Sequence, residues 1–401
     1  MIKKIVFVGY GLFLSAIIGL IAAAFLIVEN YLTNSVWSNN NQLLETLLIL
    51  FGSGILYYLL RQYPELPRTA QDSLKELRQS KTIDYQDVFL NLLVTLVILT
   101  YGAGVGPEAA LLSAIISLSI WQADNMRYLY FNYNKLKSLS SKERFKRLLN
   151  PFKYRQKYDQ KKVPKLHNIR QKKILLYSVF SINGILAFAI LLRQTDQPSF
   201  VLKLGQSHWQ WSETWLIPLL MIVGIIFTVI CKMFYAEMIR IASHLKIPLA
   251  SKIFIGALGI IAVSYWAPDL LFSGQHSLHL LMGEWSQKTP LFLITMAVFK
   301  LLFLVWCLNL QWRGGDIFPI TFAAITLGFA AAGILTGFDS LFVVAIVATT
   351  ITSELASPII AGIFLLFFFP ITLSPVIIVI AAVLFLKNKY LPKLKFTIKK
   401  V

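Results

Sequence analysis

Five stretches of this chain, residues 5–28, 42–60, 174–192, 215–231 and 289–310, are apolar over about the length a helix needs to cross a hydrocarbon core. That length is roughly 20 residues at about 1.5 Å each. A water-soluble fold has nowhere to bury so many fully apolar runs, so lipid is the solvent. In lipid every backbone N–H and carbonyl needs a partner inside the protein, and these runs lack the period-two alternation of a spanning barrel. The expected fold is an all-α polytopic bundle. With 57% hydrophobic and 14% charged residues, the 401 positions leave no soluble catalytic or nucleotide-binding domain. The only cysteines, Cys231 and Cys307, stand in apolar runs without metal-ligand spacing and are read as free, packed thiols. Ala22-Ala23-Ala24 mimics a signal-peptide cleavage site, but the apolar run around it is too long for one, so a retained first helix is expected.

The net charge of +19 raises the question of nucleic acid, and its placement answers it. Lysine and arginine concentrate at the N-terminus, in 61–81, in 127–173 and in the tail from Lys387. Basic loops stay on the cytoplasmic side, so both termini and the 122–173 loop are placed there, near anionic headgroups rather than on nucleic acid. The expected organisation is N-terminal membrane helices over 1–60, a pore segment over 61–121 and the basic loop over 122–173. The remaining helices with a second pore loop follow over 174–386, and a basic tail over 387–401.

Two basic flanks on one side constrain the stretch between them. Residues 89–121 are apolar and would make a helix of about 50 Å if continuous, yet must leave and return. The spacing predicts a helix over 89–100, a break at YGAGVGP, and a second helix from Glu108 to Trp121. A matching break, WRGGDIFP, lies about half the chain further on, at Gly315 to Pro319. Paired interrupted segments in corresponding positions mark inverted-repeat transporters, in which helix N-termini meet at mid-membrane. Such ends carry unpaired N–H groups and about half a positive charge, and so hold an anion without a full countercharge.

GVGPEAALL, followed some two hundred residues later by LFSGQ and WRGGDIFPITF, and then SPIIAGIFLLFFF at 357–369, resembles the CLC family of chloride channels and chloride/proton antiporters. The branch it resembles is prokaryotic, with Gly-Pro-Glu-Ala in the first break. The resemblance implies an inverted-repeat bundle of broken and re-entrant helices, assembled as a homodimer with one path for chloride or a similar anion in each subunit. It implies an anion site at Gly104, Val105, Gly106, Pro107 and Glu108 together with Gly314, Gly315, Ile317, Phe318 and Pro319, and a pore tyrosine at Tyr390. No His-Glu-x-x-His, Ser/His pair or carboxylate cluster stands at catalytic spacing, so no enzymatic activity, cofactor or metal is expected. In the family's motif the gating glutamate directly precedes Gly-Pro; here that slot is Val105, which implies passive or uncoupled passage. Glu108 follows the proline, where a carboxylate in the first helical turn ordinarily stabilises its own helix end; a displaced gate is the alternative. No serine stands in the slot of the family's hydroxyl ligand, and Ser53 in the literal GSGI is read as helix packing.

Other polar residues in apolar surroundings are weighed likewise. Asp316 puts negative charge beside the anion site and either pairs with Arg313 or faces away. Glu237 has Arg240 at ion-pair spacing. Glu354 looks isolated, and an unpaired carboxylate in lipid marks a pathway unless it stands in a loop. His276 and His279 have no third ligand nearby. The alternatives to a passive anion path are proton-coupled antiport through Glu108, Glu237 or Glu354, and a non-transporting membrane scaffold.

Overall fold

The structure is a computed structural model that describes residues 2–38, 41–150, 153–159, 169–195, 203–244 and 247–390. These residues form helices without named strands. In chain order they are α1 (Ile2–Trp37), α2 (Gln42–Gln62), α3 (Ala70–Ser80), α4 (Val88–Thr100), α5 (Glu108–Phe131), α6 (Tyr133–Lys137), α7 (Ser141–Leu148) and α8 (Ile169–Arg193). They continue as α9 (Leu216–His244), α10 (Leu249–Trp266), α11 (Gln275–Glu284), α12 (Pro290–Asn309), α13 (Ile317–Ile334), α14 (Ser340–Leu355), α15 (Pro358–Phe368) and α16 (Ser374–Tyr390). Among the described residues, 8 helices are long and apolar enough to cross a membrane. Each of the five apolar runs read from the sequence lies in one of them to within one residue at either end. The break also falls as expected, between α4 and α5, although α5 continues past Trp121 to Phe131.

The helices gather into two compact units that interleave along the chain. The first comprises Met1–Asn34, Glu65–Leu96 and Ala109–Gln197; the second comprises Ser35–Pro64, Val97–Glu108 and Pro198–Val401.

Within the first unit, α1 and α8 lie backbone to backbone. A β-carbon on Gly19 would collide with the carbonyl of Gly184, and one on Gly184 would stand 3.1 Å from the carbonyl oxygen of Ser15. Small residues are what permit this approach where apolar attraction between helices is weak, because lipid is as apolar as the helices. Polar contacts then fix the register: Asn183 Nδ2 donates to the carbonyl of Leu12 at 2.8 Å and to Ser15 Oγ at 2.9 Å. The exposed flank of α8 carries Ile174, Leu175, Ile182, Ile185 and Ile190, the composition of a surface wetted by hydrocarbon.

The second unit is built around α13 and α14. Residues 318–326 of α13 and 342–353 of α14 are buried without interruption, so neither helix has a lipid-facing stripe there. Gly328 allows their contact, since a β-carbon on it would lie 2.8 Å from Val344 Cα. Two buried hydroxyls in this core are satisfied inside their own helices, Thr326 and Thr350 each donating to the carbonyl four residues back at 2.8 Å. Phe322, Phe329, Phe342 and Phe368 fill the remaining space with Ile346, Leu365 and Ile377. This core holds the N-terminus of α13 in place, and the candidate site forms there.

Candidate anion site at the paired breaks

Both breaks belong to the second unit, and each is assembled by local chemistry. After α4 the chain turns at Gly102, whose φ of +83° favours glycine; a β-carbon there would stand 2.6 Å from the ring of Trp37. Trp37 Nε1 donates to the carbonyl of Thr100 at 2.9 Å, which satisfies one of the acceptors that a helix end leaves open. The N–H of Gly104 donates to Cys307 Sγ at 3.3 Å, and that of Val105 to the carbonyl of Ala103 at 2.8 Å. The second break leaves α12 through Trp312, which is fully buried and donates from Nε1 to the carbonyl of Ile253 at 3.0 Å.

The two breaks are joined directly. The Gly106 N–H donates to the Gly315 carbonyl at 2.9 Å and the Gly315 N–H to the Gly106 carbonyl at 2.7 Å, an isolated antiparallel bridge. Around it the side chains of each break occupy the room that the other's glycines leave. Val105, buried completely, fills the space beside Gly314, where a β-carbon would come within 2.7 Å of Val105 Cβ. A β-carbon on Gly106 or on Gly315 would collide with the carboxyl group of Glu108. Gly104 makes room for the ring of Phe303 in the same way.

Glu108 is the residue whose position differs most from expectation. Its carboxylate reaches the N-terminus of α13, 209 residues further along the chain. Oε1 accepts from the N–H of Ile317 at 2.8 Å and from that of Phe318 at 3.2 Å. Oε2 is buried with no hydrogen-bond partner among the described residues. Asp316 stands at the N-cap of α13 but makes no side-chain cap bond; it lines a cavity of about 40 Å³ with Lys232, Tyr235 and Ile320. Glu108 therefore takes the role an N-cap residue usually fills, from a distant part of the chain. The arrangement can hold a negative charge on the first N–H groups of α13, and here the protein's own carboxylate supplies that charge.

The other residues singled out in the sequence divide as follows. Pro107 is buried and directly precedes α5, and Pro319 is the third residue of α13, where a missing N–H breaks no intrahelical bond. Phe318 packs edge-on against Phe364 with centroids 4.7 Å apart. Tyr390 is not part of this group: it is 69% exposed at the end of α16 with Lys389 Nζ 5.3 Å from its ring, whereas the bridge is buried. Ser53 donates to the carbonyl of Leu50 within α2. Glu237 and Arg240 form an exposed pair at 3.7 Å. Glu354 is not isolated: Lys232 Nζ stands 3.5 Å and Lys387 Nζ 2.5 Å from its oxygens. His276 and His279 fall on α11, and their side chains lie outside the described residues.

Sequence reasoning missed Lys300. It is fully buried in α12, and Nζ donates to the carbonyls of Leu270 at 2.7 Å, Leu271 at 3.5 Å and Phe272 at 2.5 Å, with the rings of Phe303 and Phe322 about it. The N–H of Phe272 in turn donates to the carbonyl of Gly102, so this ammonium braces a loop against the first break. The available signal was a single lysine inside an apolar run.

A family model described as "Voltage gated chloride channel" matches residues 166–386, more than half of the chain. The chain belongs to that family. As a voltage-gated chloride channel family member it is an anion-transport protein of the membrane and not an enzyme. Its all-α fold is that of the family's solved structures. One is a CLC-type fluoride/proton antiporter, 16% identical, with a TM-score of 0.63 over 96% of each chain. Another is a slow cyanobacterial Cl−/H+ antiporter, 14% identical, with a TM-score of 0.66 over 96% of this chain and 95% of that one. No curated protein matches the sequence.

Proposed function

We propose that the chain passes chloride or a similar small anion across the membrane by way of the paired breaks, without coupling to protons, and that Glu108 closes the path. One observation carries the proposal: Glu108 Oε1 is held by the N–H groups of Ile317 and Phe318. N–H groups that stabilise a carboxylate stabilise a halide in its place, and they do so without a full countercharge, which keeps release fast. Glu108 and a permeating anion then compete for the same donors. The uncoupled reading is supported by Val105, an apolar side chain in the slot where the resemblance would put the proton-carrying glutamate. The same reading puts the termini and the 122–173 loop on the cytoplasmic side and makes the working unit a homodimer.

A second reading, proton-coupled antiport, is favoured by the location of Glu108 itself, because a carboxylate in the anion's place is a group that must gain a proton or swing away before an anion enters. Reversal potentials in proteoliposomes under opposed chloride and proton gradients separate the two. A potential set by chloride alone supports uncoupled passage, and one that moves with the proton gradient supports antiport. Vesicles that release no anion above the protein-free background would refute both and favour a scaffold.

A further inference from the structure

We infer that α7 is an interfacial helix that binds the anionic phospholipid headgroups of the bilayer the chain itself spans. Lys142, Phe145, Lys146 and Leu149 recur at i, i+3, i+4 and i+7 and so share one face of α7 and its C-cap. Among the described residues no protein partner covers that face: Phe145 is 66% and Leu149 59% exposed, and both lysines are exposed.

The opposite face is fixed to the protein. Arg144 donates to the carbonyls of Leu136 and Lys137 at 2.9 Å and of Leu139 at 3.2 Å. Arg147 pairs with Glu143 at 2.8 Å and lies over the ring of Tyr154. The carbonyl of Leu148 accepts from the hydroxyl of Tyr10 at 3.0 Å. The helix therefore cannot turn its apolar side chains inward.

Its depth follows from that last bond. Tyr10 lies six residues beyond Lys4 on α1, about 9 Å along the helix axis, and the apolar run begins at Ile5. The end of α7 is thereby held beside the first apolar turns of a membrane helix, where headgroups give way to acyl chains. Phe7 and Tyr130 meet edge-on at 6.2 Å at the same level, and Tyr130 and Phe131 remain partly exposed there. An exposed aromatic and a leucine at this depth, flanked by lysines, match the face with which amphipathic helices lie in an interface.

Charge selects the lipid. Lys135, Lys137, Lys153 and Lys157 are exposed around α7, and its own acid, Glu143, is held by Arg147. A surface of this sign favours anionic over zwitterionic headgroups.

The test uses the full chain with Phe145→Cys carrying an environment-sensitive fluorophore, and wild type treated identically to measure background from Cys231. The protein is reconstituted in phosphatidylcholine alone and in an equal mixture of phosphatidylcholine and phosphatidylglycerol, each with a trace of shallow spin-labelled lipid. Quenching is expected to be several-fold stronger in the anionic mixture, to fall on adding K142E/K146E, and to survive K142R/K146R. Equal quenching in both lipids would overturn the headgroup selectivity. No quenching in either, or a fluorophore shielded only on adding soluble nucleic acid or protein, would overturn the interfacial placement.

Discussion

Glu108→Gln keeps the size of the side chain and removes only its charge. In the structure the carboxylate accepts two backbone N–H bonds, at 2.8 and 3.2 Å. A bond to a charged group contributes about 1.5–3 kcal/mol and a neutral one about 0.5–1.5 kcal/mol, so each of the two bonds weakens by about 1–1.5 kcal/mol. The occluded arrangement should lose about 2–3 kcal/mol, which at about 1.4 kcal/mol per decade is a shift of roughly 30- to 150-fold. An anion that binds only when the side chain has left sees an affinity reduced by the fraction of open sites. Chloride titrated calorimetrically into the purified variant should therefore bind more tightly by up to that factor, and Glu108→Ala should do at least as well. Acidification acts on wild type in the same direction, since a protonated carboxyl is the poorer acceptor: its affinity should approach that of the glutamine variant as pH falls, while the variant stays flat. Unchanged chloride affinity in both variants, with the proteins shown to be folded, would refute the competition on which the argument rests.

Lys300→Met should leave the carbonyls of residues 270–272 without this donor and destabilise the fold by about 1–3 kcal/mol for each acceptor left unsatisfied, read as a lower thermal midpoint in detergent. Glu354→Gln leaves Lys232 and Lys387 facing each other and should cost about 3–5 kcal/mol by the same measurement; pairing it with Lys232→Met should recover most of the loss. Gly328→Ala forces α13 away from the backbone of Val344 and should cost about 1–3 kcal/mol, again seen in the thermal midpoint.

The parts of this fold that were legible in the sequence are those set by local order. Runs of apolar residues mark α1, α2, α8, α9 and α12, and Gly-Pro and Gly-Gly punctuation marks both breaks. The helix α7 inside the basic loop was not among these, although Ser140 caps it by accepting from the N–H of Glu143. The destination of Glu108 is different in kind. A first-turn carboxylate reads as the stabiliser of its own helix, and nothing near residue 108 says that the N–H groups of Ile317 and Phe318 will be closer partners. Glu354 looked unpaired for the same reason, because its lysines lie 122 residues before it and 33 after. For Tyr390 the resemblance implied a pore role, while the structure places it exposed at the end of α16 among Lys387 and Lys389.

The reciprocal pair of hydrogen bonds between Gly106 and Gly315 has a kinetic consequence. It pins the backbone of one break to that of the other, so neither can swing aside alone without breaking the bridge. A side chain whose departure disturbs no backbone bond of this bridge can leave by rupturing its own two contacts, without the domain rearrangement that takes microseconds to milliseconds. If Glu108 is the gate proposed above, throughput is set by how long one carboxylate stays seated, while the bridged backbone of the two breaks stays in place.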